Sequence, residues 1–320
     1  MEPNNNPFEE LELFVEPKAE EKAAVIADIS NGKYSLSFSA LTAFAISPYA
    51  FIAYKVQESN QTPAMLMGEV VHCRLLEPDE FDKRYRIAPN VNASTVEGKN
   101  AWAEIFEEMT EIELPRNKAG NAVIPKISEL IKQIKEHTAK RNSEGKIIVP
   151  GITVIPGKVA EEGDFRARRL LKNRASRWVI DQLTETEMPI EFELDGVKIR
   201  GRVDGKGSDL IMDIKNVVNA ELHAASYAIK SRKLHWQAWA YSRATGIRKY
   251  YICCVDGRGE VSVHLVSDRM LDQAEIEVAE YVERFKDLAM EGMFDPSVWE
   301  QSQDFWLKSP ENPYGLNLMP

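Results

Sequence analysis

Hydrophobic positions recur at helical spacing through the first third of the chain and at alternating spacing from about residue 190, so the pattern itself predicts an α/β protein. "SALTAFAISPYAFIAYK" reads as two short buried helices, one capped near Ser39 and one starting at Pro48. "AMLMGEVVHCRLLEP" and "EGKNAWAEIFEEMTE" predict two more, the second ending before Pro115. Residues 116–157 carry one helical pattern, Ile127 to Lys140, among Gly and Pro punctuation, and read as an insertion or lid. A basic helix is expected from about Val159 to Gln182, with Leu170, Leu171, Trp178 and Val179 as its apolar stripe. Strands follow at "IEFELDG", "VKIRGRVDG" and "DLIMDIKN", then helices near Ala220 to Ile229 and Leu234 to Thr245. A strand pair, "KYYICCVD" and "EVSVHLVS", and a helix from about Leu271 to Met290 close the pattern. Such an order makes a mixed β-sheet flanked by helices. It also sets the expected organisation: a flexible acidic segment over residues 1–30, one domain over 31–292 and a C-terminal tail over 293–320.

Composition narrows this picture. The 320 residues are 44% hydrophobic and 28% charged, ordinary for a globular protein, and the formal charge is −10. A chain so acidic can meet nucleic acid only through a local basic patch. The uncharged run from Tyr34 to Tyr54 is interrupted by serines and Pro48, so no membrane association is expected. Three cysteines, two of them adjacent, suggest neither a disulfide framework nor a four-cysteine iron–sulfur site, and no secretory signal is visible. A reducing, cytoplasmic location is expected.

The chemistry concentrates in "GRVDGKGSDLIMDIK", Gly201 to Lys215. Asp213 and Lys215, two apart on a strand, share a side. Asp204, brought across an expected Gly205-Lys206-Gly207 turn, adds a second carboxylate. Two carboxylates at one lysine suit a divalent metal better than simple neutralisation, although an ion pair alone would explain Asp213 with Lys215. Upstream, Gly68-x-x-x-His72 lies within an apolar helix, where a histidine is by itself more often a core residue. Downstream, Gln237 and Tyr241 stand one helical turn apart.

Gly68-x-x-x-His72, Asp204, Asp213-x-Lys215 and Gln237-x-x-x-Tyr241, in this order, resemble the PD-(D/E)xK nucleases of the RecB-like branch. "SALTAFAISPYAF", "MGEVVHCRLLEPDEFDKRYRIAP" and "LHWQAWAY" resemble the exonuclease VIII (RecE) nuclease domains of that branch, over most of residues 35–290. Asn216 departs from the threonine often found after the lysine, and residues 116–157 match nothing in the pattern.

The resemblance implies a restriction-endonuclease-like core and a deoxyribonuclease using Mg²⁺ or Mn²⁺, two ions in all. His72, Asp204, Asp213 and the Ile214 carbonyl would form the ligand shell, with Glu191 preferred to Glu193 as a further acidic ligand. Lys215 would orient the attacking water or lower its pKa, and Gln237 and Tyr241 would hold Lys215 or a phosphate. Lys230, Arg232 and Lys233 are the nearest candidate phosphate contacts, ahead of the arginines between Arg166 and Arg177. By the same resemblance the substrate is a duplex DNA end, degraded 5′→3′ to leave a 3′ single strand for recombination. The protein would be a homo-oligomeric ring working with a single-strand annealing protein in a bacterial or phage-infected cell. A structure- or site-specific endonuclease on the same core, or a catalytically silent DNA-binding module, are the rival readings.

Overall fold

Capping side chains fix where the first helices begin. The computed structural model describes residues 19–57, 62–143, 147–292 and 294. It starts with α1 (Ala19–Ser30), α2 (Phe38–Ile46) and α3 (Pro48–Gln57). The Ser37 hydroxyl accepts the Ala40 N–H at 3.2 Å, so the α2 cap falls two residues before Ser39. Ser47 does the same for Ala50 at 3.0 Å, with Pro48 at the first helical position. The expected flexible lead is helical from Ala19, where Glu20 and Glu21 face the positive helix end and Ile29 is buried. Residues 1–18 of that expected segment lie outside the described residues, as does the expected tail apart from Phe294.

The chain divides into two units, one holding residues 62–171 and the other residues 15–61 with 172–320. The first contains α4 (Pro63–Leu76), α5 (Phe81–Arg84), β1 (Tyr85–Ile87), α6 (Val96–Thr110) and α7 (Ile127–Thr138). It continues through β2 (Lys140–Arg141), β3 (Ile147–Val149), β4 (Thr153–Ile155) and α8 (Gly157–Lys172). Trp102, Phe106, Leu130 and Ile134 make a core between α6 and α7. Val70, Cys73, Phe81, Tyr85 and Ile155 make another beside α4. Residues 116–157 therefore hold a packed helix and three short strands, β4 pairing in parallel with β1.

The second unit resumes with α9 (Arg174–Ile180), β5 (Leu183–Leu194), β6 (Val197–Gly207) and β7 (Ile211–Asn216). After these come α10 (Leu222–Ser231), α11 (Leu234–Thr245), β8 (Tyr250–Val255), β9 (Val261–Val266) and α12 (Asp268–Met290). The single helix expected over Val159 to Gln182 is broken at Asn173, whose Oδ1 accepts the N–H groups of Ala175 and Ser176 and so starts a new helix. Trp178, expected in the apolar stripe, is left 54% exposed.

The sheet is mixed, in the order β5-β6-β7-β8-β9, as the strand pattern leads one to expect. Only β7 and β8 are parallel among its neighbours, because α10 and α11 carry the chain back between them. Phe44, Ile199, Trp236 and Phe285 belong to the core that joins sheet and helices. The α12 positions Leu271, Ala274, Val278, Val282, Phe285 and Ala289 are all buried.

The β6–β7 turn is not Gly205-Lys206-Gly207. Both glycines are strand residues, and the chain reverses through Ser208 and Asp209, with Gly207 N–H donating to the Leu210 carbonyl at 2.9 Å. Here glycine serves close approach: a Cβ at Gly205 would meet Leu183 Cδ1 at 2.6 Å, and one at Gly207 would meet the Gln182 carbonyl at 2.5 Å. No helix among the described residues is long and apolar enough to cross a membrane.

Candidate active site

β7 builds the site through its alternation. Its continuous register with β8 sets Asp213 beside Ile252 and Lys215 beside Cys254, so both polar residues share one sheet face. The Asp213 side chain is 1% exposed and that of Lys215 25%. Lys215 Nζ lies 2.8 Å from each Asp213 oxygen. Gln237, on α11, donates from Nε2 to Asp213 Oδ1 at 2.9 Å. Sequence reasoning places this amide on Lys215 or a phosphate; in the fold it holds the aspartate.

The last paired position of β6 and β7 is Gly205 with Met212, one step before Asp204 and Asp213. Beyond it the Asp204 side chain replaces the ladder, Oδ2 accepting the Ile214 N–H at 2.7 Å. Ile214 thus enters the site through its amide. Tyr241, one turn after Gln237, accepts the Arg202 N–H at 3.3 Å and lies against Gly201, where a Cβ would come 2.6 Å from the ring.

The charges act on one another. Burial pulls the Lys215 pKa down, but the Asp213 and Asp204 carboxylates outweigh it and hold it above the ordinary lysine value. Burial, followed by the same two carboxylates, pushes the Tyr241 phenol up to about 12. Tyr250, wholly buried, is raised chiefly by that burial and then by the Asp213 carboxylate.

One acidic residue was missed. Glu187 on β5 takes a left-handed backbone, φ 51°, and its carboxylate lies within 4.8 Å of that of Asp204. Its side chain is 18% exposed. Glu191 instead pairs across the hairpin with Arg200, four positions from Asp204, and its exposed carboxylate lies 3.1 Å from Lys198. Four strand residues span roughly 13 Å. The signal was present: Asp195 and Gly196, both at positive φ, form a two-residue hairpin turn, and counting back from it sets Glu187 opposite Asp204. Glu193, the other acidic residue weighed, pairs with Lys198 nearer that turn.

His72 is a half-buried residue of α4, in the other unit. Lys230 and Arg232 are exposed at the end of α10. Lys233, at φ 52°, precedes α11 and lays its ammonium over Trp236, 4.2 Å from the ring centroid, and over Tyr281 at 5.6 Å.

These residues fit a hard divalent cation. Asp213 Oδ2 is buried with the Lys215 ammonium at 2.8 Å as its ion-pair partner, and no donor among the described residues meets it in hydrogen-bond geometry. A buried carboxylate oxygen left so is expected where a ligand completes the shell. Glu187 and Asp204, with carboxylate oxygens within 4.8 Å of each other, are the hard oxygen donors that Mg²⁺ or Mn²⁺ takes, and Asp213 stands one step beyond the last β6–β7 pair beside Asp204.

Among solved structures, a candidate exonuclease from Eubacterium rectale is similar at 12% identity, covering 86% of each chain with a TM-score of 0.47. SSO0001 is similar at 14% identity over 37% of this chain and 66% of its own, with a TM-score of 0.20. No curated protein matches the sequence. Residues 37–297 match the family described as a PDDEXK-like domain of unknown function (DUF3799), and at that coverage the chain belongs to it.

Proposed function

We propose that the chain is a divalent-metal-dependent deoxyribonuclease that degrades duplex DNA from its ends. The observation that carries the reading is the convergence of Lys215 and Gln237 on buried Asp213, with Asp204 one step beyond the last β6–β7 pair. An ion pair explains Lys215 with Asp213, but not a buried amide donor on the same oxygen beside a second and third carboxylate.

Asp204, Asp213 and Glu187 would hold one or two Mg²⁺ or Mn²⁺ ions, supplying charge screening for the phosphate and a water of lowered pKa; His72 and the Ile214 carbonyl as further ligands rest on the exonuclease VIII resemblance. Lys215, kept protonated by its carboxylates, orients that water and faces the charge that develops on the phosphate. Gln237 fixes the Asp213 rotamer. Tyr241, protonated throughout the working range, anchors the strand that carries Asp204. Lys230 and Arg232, exposed where α10 ends, contact the DNA backbone, and Lys233 steadies the start of α11.

End-directed 5′→3′ action, a ring of identical subunits and a single-strand annealing partner rest on the exonuclease VIII resemblance. The test uses duplexes labelled separately at each 5′ and 3′ end, beside nicked and covalently closed circles. Early release of 5′ label and intact closed circles are expected with Mg²⁺. Internal cutting of closed circles assigns an endonuclease, and no cleavage with any divalent metal removes the enzymatic reading.

A further inference from the structure

Arg202 stands on β6 two residues before Asp204 and is tied to the site twice. Its N–H is held by Tyr241, at 3.3 Å. Its guanidinium Nη1 lies 3.5 Å from Glu187 Oε2, and the Arg202 side chain is 65% exposed against 18% for Glu187. The guanidinium therefore reaches from solvent to a largely buried carboxylate. Glu187 is held there by a left-handed backbone that a non-glycine residue rarely adopts, which fixes its carboxylate close to that of Asp204. Two carboxylates in such proximity repel, and Arg202 offsets part of that repulsion.

We propose that Arg202 exchanges partners as the site fills: it neutralises Glu187 in the metal-free protein, a divalent cation displaces it, and the released guanidinium takes a phosphate of the nucleic-acid strand. The proposal rests on the metal-dependent nuclease reading above. A cation bound by Glu187 cancels the charge that attracts Arg202 and repels the guanidinium directly. The strand end of Arg202 stays anchored by Tyr241 while its head, already mostly in solvent, is free to turn. Guanidinium geometry matches phosphate oxygens as well as it matches a carboxylate. The exchange links the two ligands: Arg202 opposes metal when DNA is absent and favours DNA once metal is present.

The test compares Arg202→Gln and Arg202→Lys in a Lys215→Ala background that does not cleave. Mn²⁺ binding is measured by calorimetry without DNA. Binding of a fluorescent duplex is measured with Mn²⁺ over a range of salt concentrations. Removing an exposed ion pair should make Mn²⁺ bind about two- to fivefold more tightly to Arg202→Gln. Losing one phosphate contact should make the slope of log affinity against log salt shallower by about one. Arg202→Lys, which keeps the charge, should return both quantities toward the parent values. Unchanged or weaker Mn²⁺ binding by Arg202→Gln, an unchanged salt slope, or no recovery in Arg202→Lys overturns the exchange. Absence of Mn²⁺ binding by the parent protein itself would remove the underlying metal reading instead.

Discussion

Gln237 Nε2 and Lys215 Nζ meet the same oxygen of Asp213, at 2.9 and 2.8 Å, so a helix and a strand are locked together by one buried carboxylate. A hydrogen bond to a charged group contributes about 1.5–3 kcal/mol. Gln237→Ala should therefore lower the turnover rate about ten- to a hundredfold, with duplex affinity little changed. Single-turnover kinetics at saturating enzyme separate the two quantities, and an equal loss in DNA affinity would move Gln237 from the carboxylate to the substrate.

Asp213→Ala and Lys215→Ala should each abolish metal-dependent cleavage. Lys215→Met should also lower stability by about 1–3 kcal/mol, because it leaves Asp213 buried without its cation; the partial exposure of Lys215 keeps the figure below that of a fully buried pair. The loss should be larger in EDTA than in Mg²⁺. Thermal melting of both proteins in the two buffers measures this, and identical losses would mean that no metal compensates Asp213.

Glu187 and Glu191 give opposite expectations. Glu187→Ala and Asp204→Ala should each weaken Mn²⁺ binding by about tenfold or more, as the loss of a ligand carboxylate does. Glu191→Ala should leave the isotherm unchanged, since its partner is Lys198. His72→Ala should raise the Mg²⁺ concentration needed for cleavage more than it weakens DNA binding. An unaltered metal titration would return His72 to a packing role in α4.

Gly201→Ala would bring a methyl group to 2.6 Å from the Tyr241 ring and 3.0 Å from its hydroxyl. Overpacking of this kind costs about 1–3 kcal/mol. A lowered melting midpoint is expected, and Gly201→Ala combined with Tyr241→Phe should not relieve it, whereas Tyr241→Leu should relieve part.

Asp256 closes the β8–β9 turn and reaches back to the segment before α10. Its buried carboxylate accepts the N–H groups of Ala220, Arg258 and Glu260 and pairs with the Arg258 guanidinium at 3.0 Å. Burial alone would raise its pKa, but those donors outweigh it and hold the group below the ordinary aspartate value. A depressed folded-state pKa contributes stability that is complete above the unfolded value, about 3.9, and fades as pH falls through the lower folded value. Asp256→Asn should therefore destabilise the protein near pH 7, by about 2 kcal/mol. The gap from the wild type should narrow below pH 4, and a gap independent of pH would exclude the carboxylate charge as its source.

Much of the molecule was legible in the residues. Alternation placed Asp213 and Lys215 on one face, because a strand's side chains have no other choice once the strand exists. Helical spacing fixed the buried stripe of α12 and set Gln237 and Tyr241 on one side of α11. The strand and helix order already required a mixed sheet, since β7 and β8 can be parallel only across a long connection.

What the sequence left undecided depends on register and on competition for partners. Glu187, Glu191 and Glu193 look equivalent in a list of residues, and the Asp195-Gly196 turn selects the one that faces Asp204. Gly205 and Gly207 read as turn residues, yet they are glycine because Leu183 and the Gln182 carbonyl occupy the space a side chain would need. Gln237 could have met Lys215 or a phosphate; it meets Asp213 because the packing of α11 brings its amide to the buried oxygen that also holds the lysine. Local pattern determines which side chains share a face, while only the folded chain determines which of them come within hydrogen-bond reach.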